Sequence, residues 1–289
     1  MTAAGPDPAN VHVHLVPTLF EPGDLAGGVA VMIDVLRAST TICTALANGA
    51  EAVVPLSEVP RTLALAKSDP VGIAAGEREG TPPEGFDLGN SPRDFTPDRV
   101  GGRDIYFTTT NGTQALQRMR QADEVLIAAF VNRAAVADRL RGESRPIHFV
   151  CAGTDGAKTA EDVLLAGALA RDLLGDVPLG SPLGTQLAHD HYVARCEEGN
   201  VIDAVRSGRG GQNLRRIGLD ADIDAAMAES TIDLIPTWDL RTNRLTVAGR
   251  VADAAEASGE PASDSADESA PEEASSNSTS ADDDGLGGW

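Results

Sequence analysis

Short apolar runs alternate with segments of helical period through the first two-thirds of the chain. The runs "VHVHL" (11–15), "VAVMIDV" (29–35), "AVVPL" (52–56), "VGIAA" (71–75), "DIYFTT" (104–109), "VLIAAF" (125–130) and "IHFVCA" (147–152) read as strands. Residues 40–48, 58–67, 112–120, 133–141, 160–174, 185–197 and 222–229 read as helices. Several of the runs are apolar on both faces, as strands covered on both sides must be. The alternation predicts an α/β chain, a layered α/β/α fold on a largely parallel or mixed sheet. Further on, "DLIPTWDL" and "RLTVAG" flank "RTN" and predict a hairpin that adds an antiparallel element.

From residue 251 the pattern stops. Residues 251–289 hold eleven acids and no Lys or Arg, with many Ser and Pro and few apolar positions. Such a segment cannot offset its ordering entropy by burial, so the expectation is a folded domain over 1–250 and a disordered acidic tail over 251–289. The whole chain of 289 residues carries a formal charge of −21, and residues 1–250 still hold 33 acids against 23 bases. That field repels polyanions and argues against a nucleic-acid partner. Lysine occurs only at Lys67 and Lys158 among many Arg, Asp and Ala, a bias that looks like a salt-adapted proteome. Three cysteines without CxxC spacing support neither a disulfide framework nor a Cys-based zinc site. The start "MTAAGPDPANVHVHL" has no signal-peptide pattern, and no apolar run is long enough to span a bilayer. A soluble, cytoplasmic protein is expected.

The polar residues that interrupt this pattern fall at strand ends. "IDVLRASTT" (33–41) closes the second strand, "GEREG" (76–80) the fourth, "TTTNGT" (108–113) the fifth and "CAGTDG" (151–156) the seventh. Ligands of open α/β sheets bind outside the carboxyl ends of strands, so four such clusters predict one shared site. Asp34 ends an apolar strand, where a carboxylate needs a cation or several donors, and Mg2+ suits it. Ser39 or Thr40 is positioned to cap the next helix, leaving amide groups for a phosphate, with Arg37 as a forked donor. Thr110, Asn111 and Thr113 have the same logic around an Asn-Gly turn. Glu77, Arg78, Glu79 and Asp87 crowd a Gly/Pro-rich loop of the kind that covers sites. Glu161 and Asp162 open a helix, either as metal ligands or as dipole partners.

Familiar phosphatase and metal patterns do not fit. Cys151 lacks the arginine of a C-x5-R loop, because residue 157 is Ala157. Asp34 lacks the second aspartate of D-x-D-x-T, being followed by Val35 and Leu36. The pair His12/His14 shares a strand face without an evident third ligand, and His189/His191 diverge around a helix.

Taken together, "VMIDVLRASTTI", "GEREGTPPEGFDLGNSP", "TTTNGTQAL" and "CAGTDGAKTAEDVLLAG" resemble, in order and spacing, the 2-phosphosulfolactate phosphatase family over roughly residues 10–245. The resemblance implies a Mg2+-dependent phosphatase of unusual α/β fold that converts 2-phospho-3-sulfolactate to 3-sulfolactate, a step toward coenzyme M. It also implies a small anionic phosphate ester as the partner. Expected catalytic residues are Asp34, Arg37, Glu77 and Arg78. Expected substrate or phosphate contacts are Ser39, Thr40, Asn90, Ser91, Thr110, Asn111, Gly112, Thr113, Cys151 and Gly153. Expected metal ligands are Asp34, Asp87, Glu161 and Asp162. Whether Asp34 binds metal or acts as nucleophile stays open, as does homo-oligomerisation. Two other functions also stay open: turnover of another 2-hydroxy-acid phosphate, such as phospholactate or phosphoglycolate, and non-catalytic anion binding on the same scaffold.

Overall fold

The computed structural model describes residues 5–247. The expected acidic tail at 251–289 lies outside the described residues. The first half of the fold runs β1 (Val11–His14), β2 (Val29–Ile33), α1 (Ala38–Ala47), β3 (Ala52–Pro55), α2 (Val59–Ser68), β4 (Gly72–Gly76), α3 (Pro97–Val100) and β5 (Asp104–Thr108). It continues through α4 (Gly112–Arg118), β6 (Glu124–Ala128), α5 (Arg133–Leu140), β7 (Ile147–Cys151), α6 (Ala160–Leu174) and α7 (Leu183–Glu197). Three short helices follow, α8 (Val201–Ser207), α9 (Arg209–Arg216) and α10 (Asp220–Ala226), before the hairpin β8 (Pro236–Asp239) and β9 (Arg244–Val247).

All seven expected strands and the hairpin form, and the strands build one nine-stranded sheet of order β1-β7-β2-β6-β8-β9-β3-β5-β4. The blocks β1-β7-β2-β6 and β3-β5-β4 are each parallel. The hairpin sits between the blocks, antiparallel to β6 on one side and to β3 on the other. It is an internal splice in the sheet rather than an addition at its edge. The run 125–130 stops short as a strand because Asn132 turns the chain. Its side chain accepts from Ala129 N–H at 2.8 Å and donates to Ile127 and Leu234 carbonyls, each at 3.1 Å.

Two cores flank the sheet. Val29, Val31, Ile33, Leu126 and Phe149 pack under α5, α6 and α7 with Val136, Leu165, Leu169 and Tyr192. The other core takes Met32, Ile127 and Val150 from one parallel block and Val53, Ile105 and Phe107 from the other, around Ile42 and Leu46 of α1. Each fully buried Leu, Ile, Phe or Met contributes about 1.5–3 kcal/mol. The shared core around α1 unites both blocks, and the residues after β2, β4, β5 and β7 line one cavity.

Helices α8 and α9 are not foreshadowed by periodicity. The stretch "SGRGGQNLRR" is rich in glycine and arginine, which hides a helix held in place by packing rather than by propensity.

Candidate active site

The cavity has a volume of about 380 Å³ and is walled by the chain leaving β2, β4, β5 and β7, with α9 across it. Asp34 follows β2 directly and is 7% exposed. Its Oδ1 accepts from Ala38 N–H at 3.2 Å, and its carbonyl accepts from Ser39 N–H at 2.8 Å. Arg37 is also buried; Nη1 donates to Asp222 Oδ2 and Nη2 to the Gly80 carbonyl, both at 2.8 Å. Glu77 leaves β4 and ties two loops together, accepting from Gly80 N–H and Thr110 N–H at 2.8 Å each. At the end of β5, Thr109, Thr110 and Asn111 complete the wall. The Thr110 hydroxyl and the Asn90 side-chain oxygen Oδ1 are buried without a partner among the described residues.

Behind Asp34 lies a second carboxylate. Asp162 accepts from Val35 N–H and Gly153 N–H, each at 2.9 Å, and so joins the ends of β2 and β7. Burial, then the negative charges of Asp162 and Glu77, hold the Asp34 carboxyl well above the usual carboxylate range, against the opposing pull of the Ala38 amide and Arg37. Burial likewise raises Asp162, against the amides of Val35 and Gly153. Glu161 is raised by burial and by Asp162, and its Oε2 has no hydrogen-bond partner among the described residues. Three acids crowded in a low-dielectric setting favour protons or a cation.

The structure sorts the expected residues. Asp34, Arg37, Glu77, Asn90, Thr110 and Asn111 line the cavity, while Gly112 abuts the Asp34 carboxylate. The expected helix cap is corrected: α1 begins at Ala38 with Arg37 as its cap residue and no side-chain cap bond. Ser39 Oγ instead accepts from Asp34 N–H at 2.9 Å, and Thr40 Oγ1 donates to the Val35 carbonyl at 2.8 Å. The Ala38 and Ser39 amides are taken by Asp34, so they are not open to a phosphate. Thr113 bonds back to Thr109, and Ser91 donates to Asp222 at 2.7 Å.

Other expected residues stand outside the cavity wall. Arg78 clamps three strand ends, donating to the Glu77 and Ser57 carbonyls and to Thr108 Oγ1 at 2.7, 2.8 and 2.9 Å. Asp87 accepts from Ala74 N–H at 2.8 Å and braces β4. Cys151 is fully buried in β7, where burial and the neighbouring carboxylates push its thiol up. Gly153 serves the site through its N–H on Asp162. Glu161 lies against α9, where a Cβ on Gly210 would meet its Oε1 at 2.0 Å, so only glycine allows that approach. Among the described residues, no set of three or more His, Cys, Asp or Glu forms a metal cage.

Four contributors were missed by sequence reasoning: Asp222, Asp155, Asn213 and Arg216. Asp155 and the α9 residues Asn213 and Arg216 line the cavity, and Asp222 holds Arg37. The one available signal was the position of Asp155 inside "CAGTDG".

Comparison with known proteins agrees with this arrangement. Residues 14–240 match the family model of 2-phosphosulpholactate phosphatase. A Symbiobacterium thermophilum protein described as a probable 2-phosphosulfolactate phosphatase is 39% identical over 218 residues, covering 74% of this chain and 93% of the relative. A Deinococcus radiodurans protein of the same description is 43% identical over 231 residues, covering 78% and 92%. A third, from a Synechococcus strain, is 42% identical over 228 residues, covering 75% and 92%. With the match spanning every strand end that builds the cavity, the chain belongs to the 2-phosphosulfolactate phosphatase family.

Proposed function

We propose that the chain is a magnesium-dependent phosphatase that hydrolyses the phosphate ester of a 2-hydroxy acid, with 2-phosphosulfolactate as substrate. The observation that carries this is Asp34, a buried carboxylate on the cavity wall beside the equally buried guanidinium of Arg37. The donor set suits magnesium, a hard cation that takes one or two carboxylates plus phosphate and water oxygens. Asp34 would hold it, because the repulsion from Asp162 and Glu77 that raises Asp34 is relieved by a cation. Once bound, the ion would polarise the phosphoryl group and acidify water.

The remaining work falls to the chain itself. Arg37, fixed by Asp222 and Gly80, supplies positive charge to phosphoryl oxygens, and the unpartnered Thr110 hydroxyl supplies a donor. Glu77 keeps the 76–80 turn against the Thr110 loop, so both walls hold their spacing. The acidic, lysine-poor composition fits a salt-adapted protein, so assays belong at both low and high salt.

The test is phosphate release from 2-phosphosulfolactate with magnesium and with chelator. Turnover that requires the metal and falls by orders of magnitude in Asp34→Asn is the expected result. Asp34→Asn retaining more than about half the wild-type rate would overturn this role for Asp34. A chirally labelled phosphoryl group followed through turnover in 18O-water then separates the two chemistries of Asp34: retention of configuration at phosphorus marks a covalent aspartyl-phosphate route, and inversion marks direct attack by water.

A further inference from the structure

Helix α9 crosses the cavity and turns one face to it, through Gly210, Asn213, Leu214, Arg216 and Ile217. Its ends are pinned. Arg209 pairs with Asp155 at 2.7 Å, and Asp155 N–H donates to Asn111 Oδ1 at 3.0 Å. Just past the other end, Ile217 Cδ1 lies 3.0 Å from the Cβ position of Gly80, in the turn that Glu77 and Arg37 both hold. Arg216 is therefore carried on a wall fixed to the same turn as the catalytic groups.

Charge accounting sets Arg216 apart. The cavity wall carries two guanidiniums, Arg37 and Arg216, and four carboxylates, Asp34, Glu77, Glu79 and Asp155. Arg37 is committed to Asp222, Asp155 to Arg209, and Glu77 to two amides. The side chains of Arg216 and Asn213 make no ion pair or hydrogen bond among the described residues. A phosphate ester bearing two further acid groups meets one uncommitted cation here. The substrate's carboxylate shares a carbon with the ester oxygen and stays beside the phosphoryl group. The sulfonate is one carbon farther out and can extend past the phosphoryl group to another part of the wall.

We propose that Arg216, with the Asn213 amide one turn before it, binds the substrate's sulfonate and sets the preference for sulfonated over unsulfonated hydroxy-acid phosphates. This rests on the phosphatase function above. A guanidinium fork matches two oxygens of one sulfonate, and Asn213 can donate to the third.

The test compares kcat/KM for 2-phosphosulfolactate and 2-phospholactate in wild type, R216A and N213A, alongside calorimetry with 3-sulfolactate. In R216A the ratio of the two kcat/KM values should fall about 30-fold, chiefly through KM on the sulfonated ester. N213A should lower it by roughly threefold to tenfold, and 3-sulfolactate binding should weaken in parallel. An unchanged ratio in R216A, with equal loss on both esters, would overturn the proposal. If the wild type turns over neither ester, the phosphatase function fails. The calorimetric comparison still decides the subsite: weaker 3-sulfolactate binding in R216A supports it, and equal binding or none to either protein overturns it.

Discussion

Arg37, the cap residue just before α1, and Asp222 of α10 form an ion pair of 2.8 Å whose side chains are 3% and 0% exposed. The second Asp222 oxygen accepts from Ser91 Oγ at 2.7 Å, so one carboxylate secures the arginine and the 83–92 loop together. Removing one partner of such a pair leaves a buried charge uncompensated, at a cost of about 3–5 kcal/mol. Asp222→Ala should lose about that much stability, together with tenfold or more in kcat/KM as Arg37 loses its anchor. Asp222→Asn keeps a neutral acceptor and should lose less of both. Urea unfolding and steady-state kinetics on the same preparations check this.

Gly112 opens α4 against the Asp34 carboxylate. A Cβ there would stand 2.9 Å from Asp34 Oδ2, 3.0 Å from Ala38 Cβ and 3.1 Å from Thr109 Oγ1. Gly112→Ala must displace the carboxylate, and misplacement by about an ångström lowers kcat on the order of 100-fold. Alanine also favours a helix over glycine, so stability should change little. Activity lost at near-constant Tm is the expected result, and unchanged kcat would show that the Asp34 position is not critical.

The strands were legible because strands covered on both faces write themselves as unbroken apolar runs. Asp34 was legible for the complementary reason, being a carboxylate at the end of such a run. Asp222 was not: it lies 185 residues from Arg37, and in "DIDAAM" it reads as an ordinary first-turn acid. The caps expected of Ser39 and Thr40 failed because the Asp34 carboxylate reaches the Ala38 amide first, a contact local rules for Ser and Thr do not anticipate. The hairpin was visible as a hairpin, but its place between two parallel blocks depends on contacts with β6 and β3 that no local pattern records.

The acids around Asp34 give stability a defined slope with pH. Asp34, Asp162 and Glu161 all titrate above the ordinary carboxylate range in the folded chain, with burial as the main cause. Between that range and their raised values the folded state holds more protons than the unfolded state. Their contribution is therefore present at low pH and lost as pH rises. In chelator, Tm should fall from about pH 5 to about pH 8, and Asp34→Asn should flatten the fall. Excess magnesium chloride should raise Tm more at the upper pH, where the cation replaces missing protons. A magnesium effect independent of pH would place the ion away from Asp34.

A histidine cluster on the far side of β2 sets the opposite slope. The parallel register pairs His12 of β1 with His148 of β7, which supplies the third ring that the His12/His14 pair lacked in the sequence. The rings stack with centroids 4.8 Å apart for His12 and His148 and 5.4 Å for His14 and His148. His14 Nε2 and His148 Nδ1 lie 3.1 Å apart, one donating and the other accepting, which requires at least one neutral ring. Burial, and then the charges of neighbouring rings, lower His14 and His148 to about 4, with Asp24 pulling the other way. Because the folded values lie below the unfolded one, the unfolded chain binds more protons in this window. Stability should therefore be lost as pH falls from about 6.5 toward about 4. Urea midpoints measured across that range should drop, and His148→Leu, which removes the central ring of the stack, should shrink the drop. A slope unaltered in His148→Leu would assign acid unfolding to other groups.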